Sequence, residues 1–239
     1  MGGGSTSTVH SFFNSALALF YPGSCVVCGA SGEALCSQCI SEFKVINETE
    51  VCPVCGKMGS GRAIVCISCS RSKTYFTRGI YGYHYEGRVR EAIHAFKFEG
   101  HKEVGRKLVR LIAKKFCGLE NEIDYIVPMP VSRRRLRERG FNQSFIISEE
   151  ISRITGIPLC YRDLVKIKDV RGQFTLTKTE RRNNIRGAFT IRDRSSLKTK
   201  RLLLVDDLLT TGYTAVEAAK ALRKTNPGEI ILFALARTP

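Results

Sequence analysis

Eight of the ten cysteines fall into four Cys-x-x-Cys pairs: Cys25/Cys28, Cys36/Cys39, Cys52/Cys55 and Cys66/Cys69. Each pair offers two thiolates on one side of a tight turn, so two pairs supply the four sulfurs of a tetrahedral zinc site and eight sulfurs supply two sites. A single pair fits a dithiol redox centre equally well. Four within 45 residues, with glycine following Cys28 and Cys55, fit zinc-ribbon knuckles far better. Sequential pairing puts Cys25, Cys28, Cys36 and Cys39 on one ion and Cys52, Cys55, Cys66 and Cys69 on the other; spacing also permits a cross-braced arrangement. A site of four cysteines keeps no open position for water, which makes both ions structural. The segment has too little apolar material to fold alone, so metal would supply on the order of 10 kcal/mol of folding free energy per site. Cys117 and Cys160, beside apolar residues, read as small core residues.

A second constellation lies near the C-terminal end: Leu202-Leu-Leu-Val-Asp206-Asp207-Leu-Leu-Thr210-Thr211-Gly212-Tyr213-Thr214. Here an apolar strand delivers two carboxylates, and a Thr/Gly turn then opens a helix. Free amides of a first helical turn, hydroxyls and a close-approach glycine make a pocket for a terminal phosphate. Adjacent carboxylates suit the vicinal hydroxyls of a ribose. Together they describe a ribose 5-phosphate; the Gly-x-x-x-x-Gly-Lys-Ser/Thr loop that would hold ATP is missing from the sequence.

Five arginines within seven residues, Arg133, Arg134, Arg135, Arg137 and Arg139, precede Phe141, Asn142 and Gln143. Such a stretch can grip a pyrophosphate, or track a single-stranded nucleic acid and offer an aromatic face to a base. The competing reading is a solvated helix face, where five cations would repel one another. Arg181, Arg182 and Arg186 would extend the same basic surface. His84 and His94 read as structural and His101 as surface, and no Ser/His/Asp or Cys/His signature supports hydrolytic nucleophilic catalysis.

These groups must be held by alternating strands and helices. Gly79-Ile-Tyr-Gly-Tyr-His-Tyr reads as a strand, and Val89, Ile93 and Phe96 recur at helical spacing up to Gly100. A helix is expected over 102–116, a short buried strand over 123–127 stopped by prolines, and a helix carrying Phe145, Ile147, Ile151 and Ile154. Arg201–Asp206 has the wholly apolar interior of a central parallel strand, a helix with Val216, Ala219 and Leu222 follows, and 229–236 returns as a strand. This alternation indicates an α/β sheet with its ligand site at the carboxyl ends of the strands.

The 239 residues allow one sizeable domain plus a small appendage, and 43% hydrophobic with 25% charged residues excludes a disordered or membrane-spanning chain. Net charge is +16, and it is uneven: residues 1–70 hold three basic and four acidic side chains, residues 71–239 hold 35 and 18. The body therefore attracts polyanions. The apolar stretch Phe12–Tyr21 lacks a preceding cation and a following small-residue cleavage site, no transmembrane segment is found, and the paired cysteines suit a reducing cytoplasm.

At the strand, paired aspartates and Thr-Thr-Gly turn, the sequence resembles the phosphoribosyltransferases. Tyr85-Glu-Gly, the run 93–100 with Lys97, the run 127–143, Gln173-x-x-Leu176 and Glu180-Arg-x-x-Asn184-Ile-Arg-Gly-Ala-Phe189 are similar to the ComF family, in which a double zinc ribbon precedes such a domain. The segment around Val170-Arg-Gly departs from that pattern. The resemblance implies a type I phosphoribosyltransferase-like parallel sheet flanked by helices, with a tail and short helix over 1–22, a double zinc ribbon over 23–72 and the transferase-fold domain over 73–239. It implies phosphoribosyl pyrophosphate with magnesium as ligand. Asp206 and Asp207 would be the catalytic residues and hold the ribose hydroxyls, and Thr210, Thr211, Gly212, Tyr213 and Thr214 would hold the 5-phosphate. Arg133 to Arg139 would meet pyrophosphate or DNA. It further implies a role in natural competence and DNA uptake, single-stranded DNA binding, and a cytoplasmic location, at the inner face of the membrane through partners such as a competence helicase or uptake channel. A nucleotide-salvage transferase and a non-catalytic sensor of the donor are the alternatives, and the acceptor is not legible.

Overall fold

The computed structural model describes residues 23–59, 64–168, 183–193 and 195–239. The apolar stretch 12–21, the Val170-Arg-Gly segment, Gln173, Leu176, Glu180, Arg181 and Arg182 lie outside the described residues. The chain forms two compact units, Met1–Glu42 and Phe43–Pro239, so the division falls between the two cysteine clusters.

In the first unit the Cys25–Cys28 turn closes with Gly29 N–H donating to the Cys25 carbonyl at 2.8 Å. Cys36 then caps the short helix α1 (Ser37–Ser41), its sulfur accepting from the Cys39 amide. The second unit repeats the device. Gly56 N–H donates to the Cys52 carbonyl at 2.9 Å, and Cys66 precedes α2 (Ile67–Ser70). Gly56 has φ +66°, a conformation that disfavours a side chain, and a Cβ there would sit 2.8 Å from the Tyr81 ring.

The body continues through β1 (Arg78–His84), α3 (Gly87–Phe98), α4 (Lys102–Leu111), β2 (Tyr125–Pro128), α5 (Arg133–Arg139), α6 (Gln143–Thr155), β3 (Leu164–Lys166), β4 (Phe189–Ile191), β5 (Arg201–Leu209), α7 (Tyr213–Leu222) and β6 (Glu229–Arg237). Four strands form a parallel sheet in the order β1-β6-β5-β2, with Leu203 opposite both Ile126 and Ile231. The segment around Leu159 adds a single parallel bridge outside β2. β3 and β4 pair antiparallel as a separate small sheet.

Strands β5 and β6 are central and buried on both faces, which explains their uninterrupted apolar runs. Alternate residues serve different layers. Leu202, Leu204, Ile230, Leu232 and Ala234 share one core with Ala215, Ala218, Ala219 and Leu222 of α7, with Leu164 and Phe189 of the small sheet, and with Val51, Cys52 and Val54 beside the second cysteine cluster. On the other side Phe233 meets Phe116 edge-on, with ring centroids 5.2 Å apart. There α6 packs against β5, β2 and α4.

The expected helix over 102–116 is interrupted: α4 ends at Leu111 and a 3-10 turn, Ala113–Phe116, tightens the chain so that Phe116 reaches Phe233. Cys117, expected in the core, is exposed, because it follows that turn at the surface. Cys160 is half-buried and donates to Asp163 Oδ2 at 2.9 Å; burial and then the carboxylate push its thiol up to about 12.

Candidate functional site

The two thiol clusters group sequentially: Cys25, Cys28, Cys36 and Cys39 in one, Cys52, Cys55, Cys66 and Cys69 in the other, with all sulfurs of each cluster within 4.8 Å of one another. Cys25 and Cys39 sulfurs lie 3.7 Å apart, Cys28 and Cys36 3.6 Å, Cys55 and Cys66 3.7 Å. A tetrahedron with Zn–S arms of about 2.3 Å has edges of about 3.8 Å, so both donor sets fit the ion. The electrostatics agree. Burial opposes ionisation of Cys25, but the amides of Cys36, Cys28 and Val27 outweigh it and bring the thiol down to about 6. In the same cluster, burial pushes Cys39 up to about 12. Only a bound cation lets four such neighbours be thiolates together. The second cluster behaves alike, with Cys52 brought down to about 7 and Cys69 pushed up, chiefly by burial.

At the carboxyl end of the sheet, β5 runs straight through both aspartates to Leu209. Asp206 is buried, paired in register with Ala234 of β6. Its Oδ1 accepts from the Asp207 amide at 2.9 Å and from the Ser144 hydroxyl at 3.4 Å. Burial first, and the neighbouring Asp207 second, push Asp206 up to about 7, against the pull of Lys97 and these hydrogen bonds. Asp207 meets the ammonium of Lys97 at 3.0 Å, with both side chains largely buried. The backbone of Lys97 is held in turn. Gln143 Nε2 donates to the Lys97 carbonyl at 3.3 Å, and Gln143 Oε1 accepts from Arg139 Nη1 at 3.2 Å.

The arginine run forms α5, which Ser132 caps by accepting from the Arg135 amide and Gly140 ends in a left-handed conformation. Positions four apart share a helix face. Arg135 and Arg139 are half-buried and line a cavity of about 230 Å³ together with Lys97, Ser144, Asp206 and Asp207. Burial lowers the Arg139 pKa, although Asp207 opposes this, and the guanidinium stacks on Phe98 with its carbon 5.0 Å from the ring centroid. Arg133, Arg134 and Arg137 are exposed instead; Arg134 pairs with Glu138 at 3.1 Å. The five arginines expected as one group are thus divided between two faces.

The Thr/Gly turn follows β5. Gly212, at φ +78°, is the N-cap of α7, and no side chain caps that helix end. Thr210 and Thr211 are exposed, while Gly212, Tyr213 and Thr214 are half-buried. Thr214 faces the same cavity as the aspartates; Thr210, Thr211, Gly212 and Tyr213 open on an adjoining cavity of about 1050 Å³, and Ile185 lines both. Arg186 lines the larger one. Neither His94 nor His101 lines either cavity, and their imidazoles face Glu99 at 3.4 and 3.7 Å.

Sequence reasoning assigned no role to Lys97 or Ser144. The signal for Lys97 was present: it stands four residues after Ile93, on the helix face that also buries Phe96. A lysine at a core position needs a carboxylate partner.

Comparison with known proteins agrees with this architecture. Residues 16–70 match the double zinc ribbon domain and residues 142–239 the phosphoribosyl transferase domain. The chain is 31% identical over 213 residues to Competence protein F of Haemophilus influenzae, covering 85% of this chain and 90% of that protein. It is 28% identical to Competence protein ComFC of Bacillus subtilis, with 86% and 85% covered, and 26% identical to the DNA utilization protein YhgH of Salmonella typhimurium, with 92% and 99% covered. A zinc ribbon with two four-cysteine sites, a phosphoribosyltransferase-like α/β body and this likeness along most of the chain place the protein in the ComF family.

Proposed function

We propose that this ComF-family protein binds phosphoribosyl pyrophosphate with magnesium at the end of β5 and single-stranded DNA on its basic surface, acting in natural competence and DNA uptake. One observation carries the reading: Asp206 and Asp207 share a cavity with Lys97, Arg135 and Arg139, beside the uncapped start of α7. The aspartates would accept from the ribose hydroxyls, and Thr210, Thr211, Gly212, Tyr213 and Thr214 would hold the 5-phosphate. The cavity-facing Arg135 and Arg139 would meet the pyrophosphate, with donors suited to bidentate anion binding. Two adjacent carboxylates and a polyphosphate ligand are oxygen donors of the kind magnesium takes, with most of its shell supplied by ligand and water. The ion would neutralise charge on the leaving pyrophosphate. Arg133, Arg134 and Arg137 are exposed, and they would meet a phosphate backbone outside the cavity. The named relatives are competence and DNA utilization proteins, which supports the uptake role.

Titration calorimetry tests the ligand. Wild-type protein binds the donor in a magnesium-dependent manner, and Asp206→Asn with Asp207→Asn weakens binding at least ~100-fold, as expected when charge-assisted hydrogen bonds are lost, while zinc stays at two ions per chain. Undiminished affinity in that variant overturns the reading. Oligonucleotide affinity should fall with salt at a log–log slope of about −0.7 per phosphate contacted. No oligonucleotide binding at low salt would favour a salvage transferase, and pyrophosphate release with a base or oligonucleotide acceptor would exclude a mere sensor.

A further inference from the structure

Arg237, at the end of β6, is 4% exposed. A guanidinium so deep ordinarily faces a carboxylate, because an uncompensated buried charge is costly. Among the described residues no carboxylate pairs with it. Its hydrogen bonds go to uncharged oxygens: Nε donates to the Cys55 carbonyl at 2.8 Å, and Nη1 to the Leu209 carbonyl at 3.3 Å, to Thr238 Oγ1 at 2.8 Å and to the Thr238 carbonyl. The second cysteine cluster stands beside it: Cys55, whose carbonyl it holds, and Cys69 line the same cavity. A zinc ion with four thiolates carries a net charge of −2, so the second cluster is the counter-charge this guanidinium lacks.

The geometry has a second half. Cys55 is a zinc ligand in that cluster, and Leu209 is the residue before Thr210. One side chain thus holds a carbonyl of the metal knuckle and the carbonyl that leads into the sugar-phosphate turn. The larger cavity is lined by Cys55, Cys69 and Arg237 as well as by Thr210, Thr211 and Gly212, so knuckle and turn face the same space. Tyr81 fixes the knuckle from β1, its hydroxyl donating to the Val54 carbonyl at 2.5 Å.

We propose that Arg237 is a positioning residue that serves as counter-cation to the second zinc complex and couples that ion's occupancy to the geometry of the Thr210–Thr214 turn. The metal half is independent of any ligand; the coupling half rests on the phosphoribosyl reading above. Loss of the second ion removes both the counter-charge and the fixed Cys55 carbonyl. The turn then loses the anchor at Leu209.

Zinc release from full-length protein to a chromogenic chelator tests the metal half. In Arg237→Met one ion leaves at least ~10-fold faster than in wild type and the other at the wild-type rate. A Cys25→Ser/Cys28→Ser background, which retains the second ion alone, assigns the fast one. Arg237→Lys keeps the charge and restores much of the retention, and it serves if Arg237→Met does not fold. Wild-type release of both ions from Arg237→Met, or release from Arg237→Lys as fast as from a folded Arg237→Met, overturns the counter-cation role. For the coupling half, hydrogen exchange at residues 209–214 is compared in zinc-loaded wild type and Arg237→Lys, with donor affinity measured before and after stripping and restoring zinc. Faster exchange and a reversible affinity loss of at least ~10-fold are expected; unchanged exchange and affinity overturn the coupling. If zinc-loaded wild type binds no donor at all, the phosphoribosyl reading fails, and zinc release together with hydrogen exchange still decides the role of Arg237.

Discussion

Replacing Lys97 by methionine keeps the length and bulk of the side chain and removes the cation that faces the aspartate pair. In the native protein its nitrogen is 3.0 Å from Asp207 Oδ2, and Asp206, itself buried, is the next residue along β5. At an effective dielectric constant of 20, a unit pair at that distance interacts by about 5 kcal/mol. Part of this is returned because the ammonium need no longer be desolvated, which leaves a net cost of about 3 kcal/mol, in the range for breaking a buried pair by removing one partner. The cost must depend on pH. Asp206 titrates in the folded state near 7, above its ordinary value of 3.8, so the folded protein binds more protons than the unfolded chain between about pH 4 and 7. The contribution of this group to stability is therefore full at low pH and is lost as pH rises through 7. Above pH 8 Asp206 is charged and the methionine variant suffers most; at pH 5.5 Asp206 already carries its proton and the cost is about half. Denaturant unfolding of wild type, Lys97→Met, Asp207→Asn and the double variant at both pH values measures this directly. A coupling energy of about 2 kcal/mol or more at pH 8, smaller at pH 5.5, is expected. Coupling below about 0.5 kcal/mol at pH 8, or no change with pH, would refute the electrostatic account of the site.

Three further outcomes follow from other parts of the molecule. Gly212→Ala should cost about 1 kcal/mol, because φ is +78° there while the nearest side-chain atom to an added Cβ is 3.9 Å away, so the penalty is backbone strain and not a clash; Gly212→Asn, which tolerates that conformation better, should recover part of it in thermal melts. Cys52→Ser should leave one zinc per chain by metal analysis and broaden the unfolding transition of the body, since Cys52 belongs to the core that also holds Leu204 and Ala219. Glu150 is 2% exposed and accepts from Arg110 and Arg153 at 2.7 and 2.6 Å, and although burial opposes it, those partners hold its carboxyl below the usual range. Its stabilisation is present above about pH 4.5 and lost on further acidification; Glu150→Ala should cost about 1–2 kcal/mol at pH 7, discounted because both arginines are half-exposed, and little at pH 3.

Much of this protein is legible in the order of its residues because the relevant physics is local. The cysteine spacing fixes two metal knuckles, and the apolar runs of β5 and β6 declare strands covered on both faces. The Asp-Asp and Thr-Thr-Gly sequence places carboxylates, turn and helix start in succession along one stretch of chain. The three-residue strands β3 and β4 are too short to show alternation, and 22 residues separate them, so their pairing escaped a reading based on periodicity.

Charge partners belong to the tertiary structure. Nothing local tells Lys97 to meet Asp207 across 110 residues, nor divides the arginines of α5 between cavity and solvent, nor sends Arg237 back to the carbonyl of Cys55. Periodicity encodes which residues leave water, since burial acts on each side chain through its own area; pairing is decided only when separate elements dock and each desolvated charge must find the opposite charge or dipole within reach.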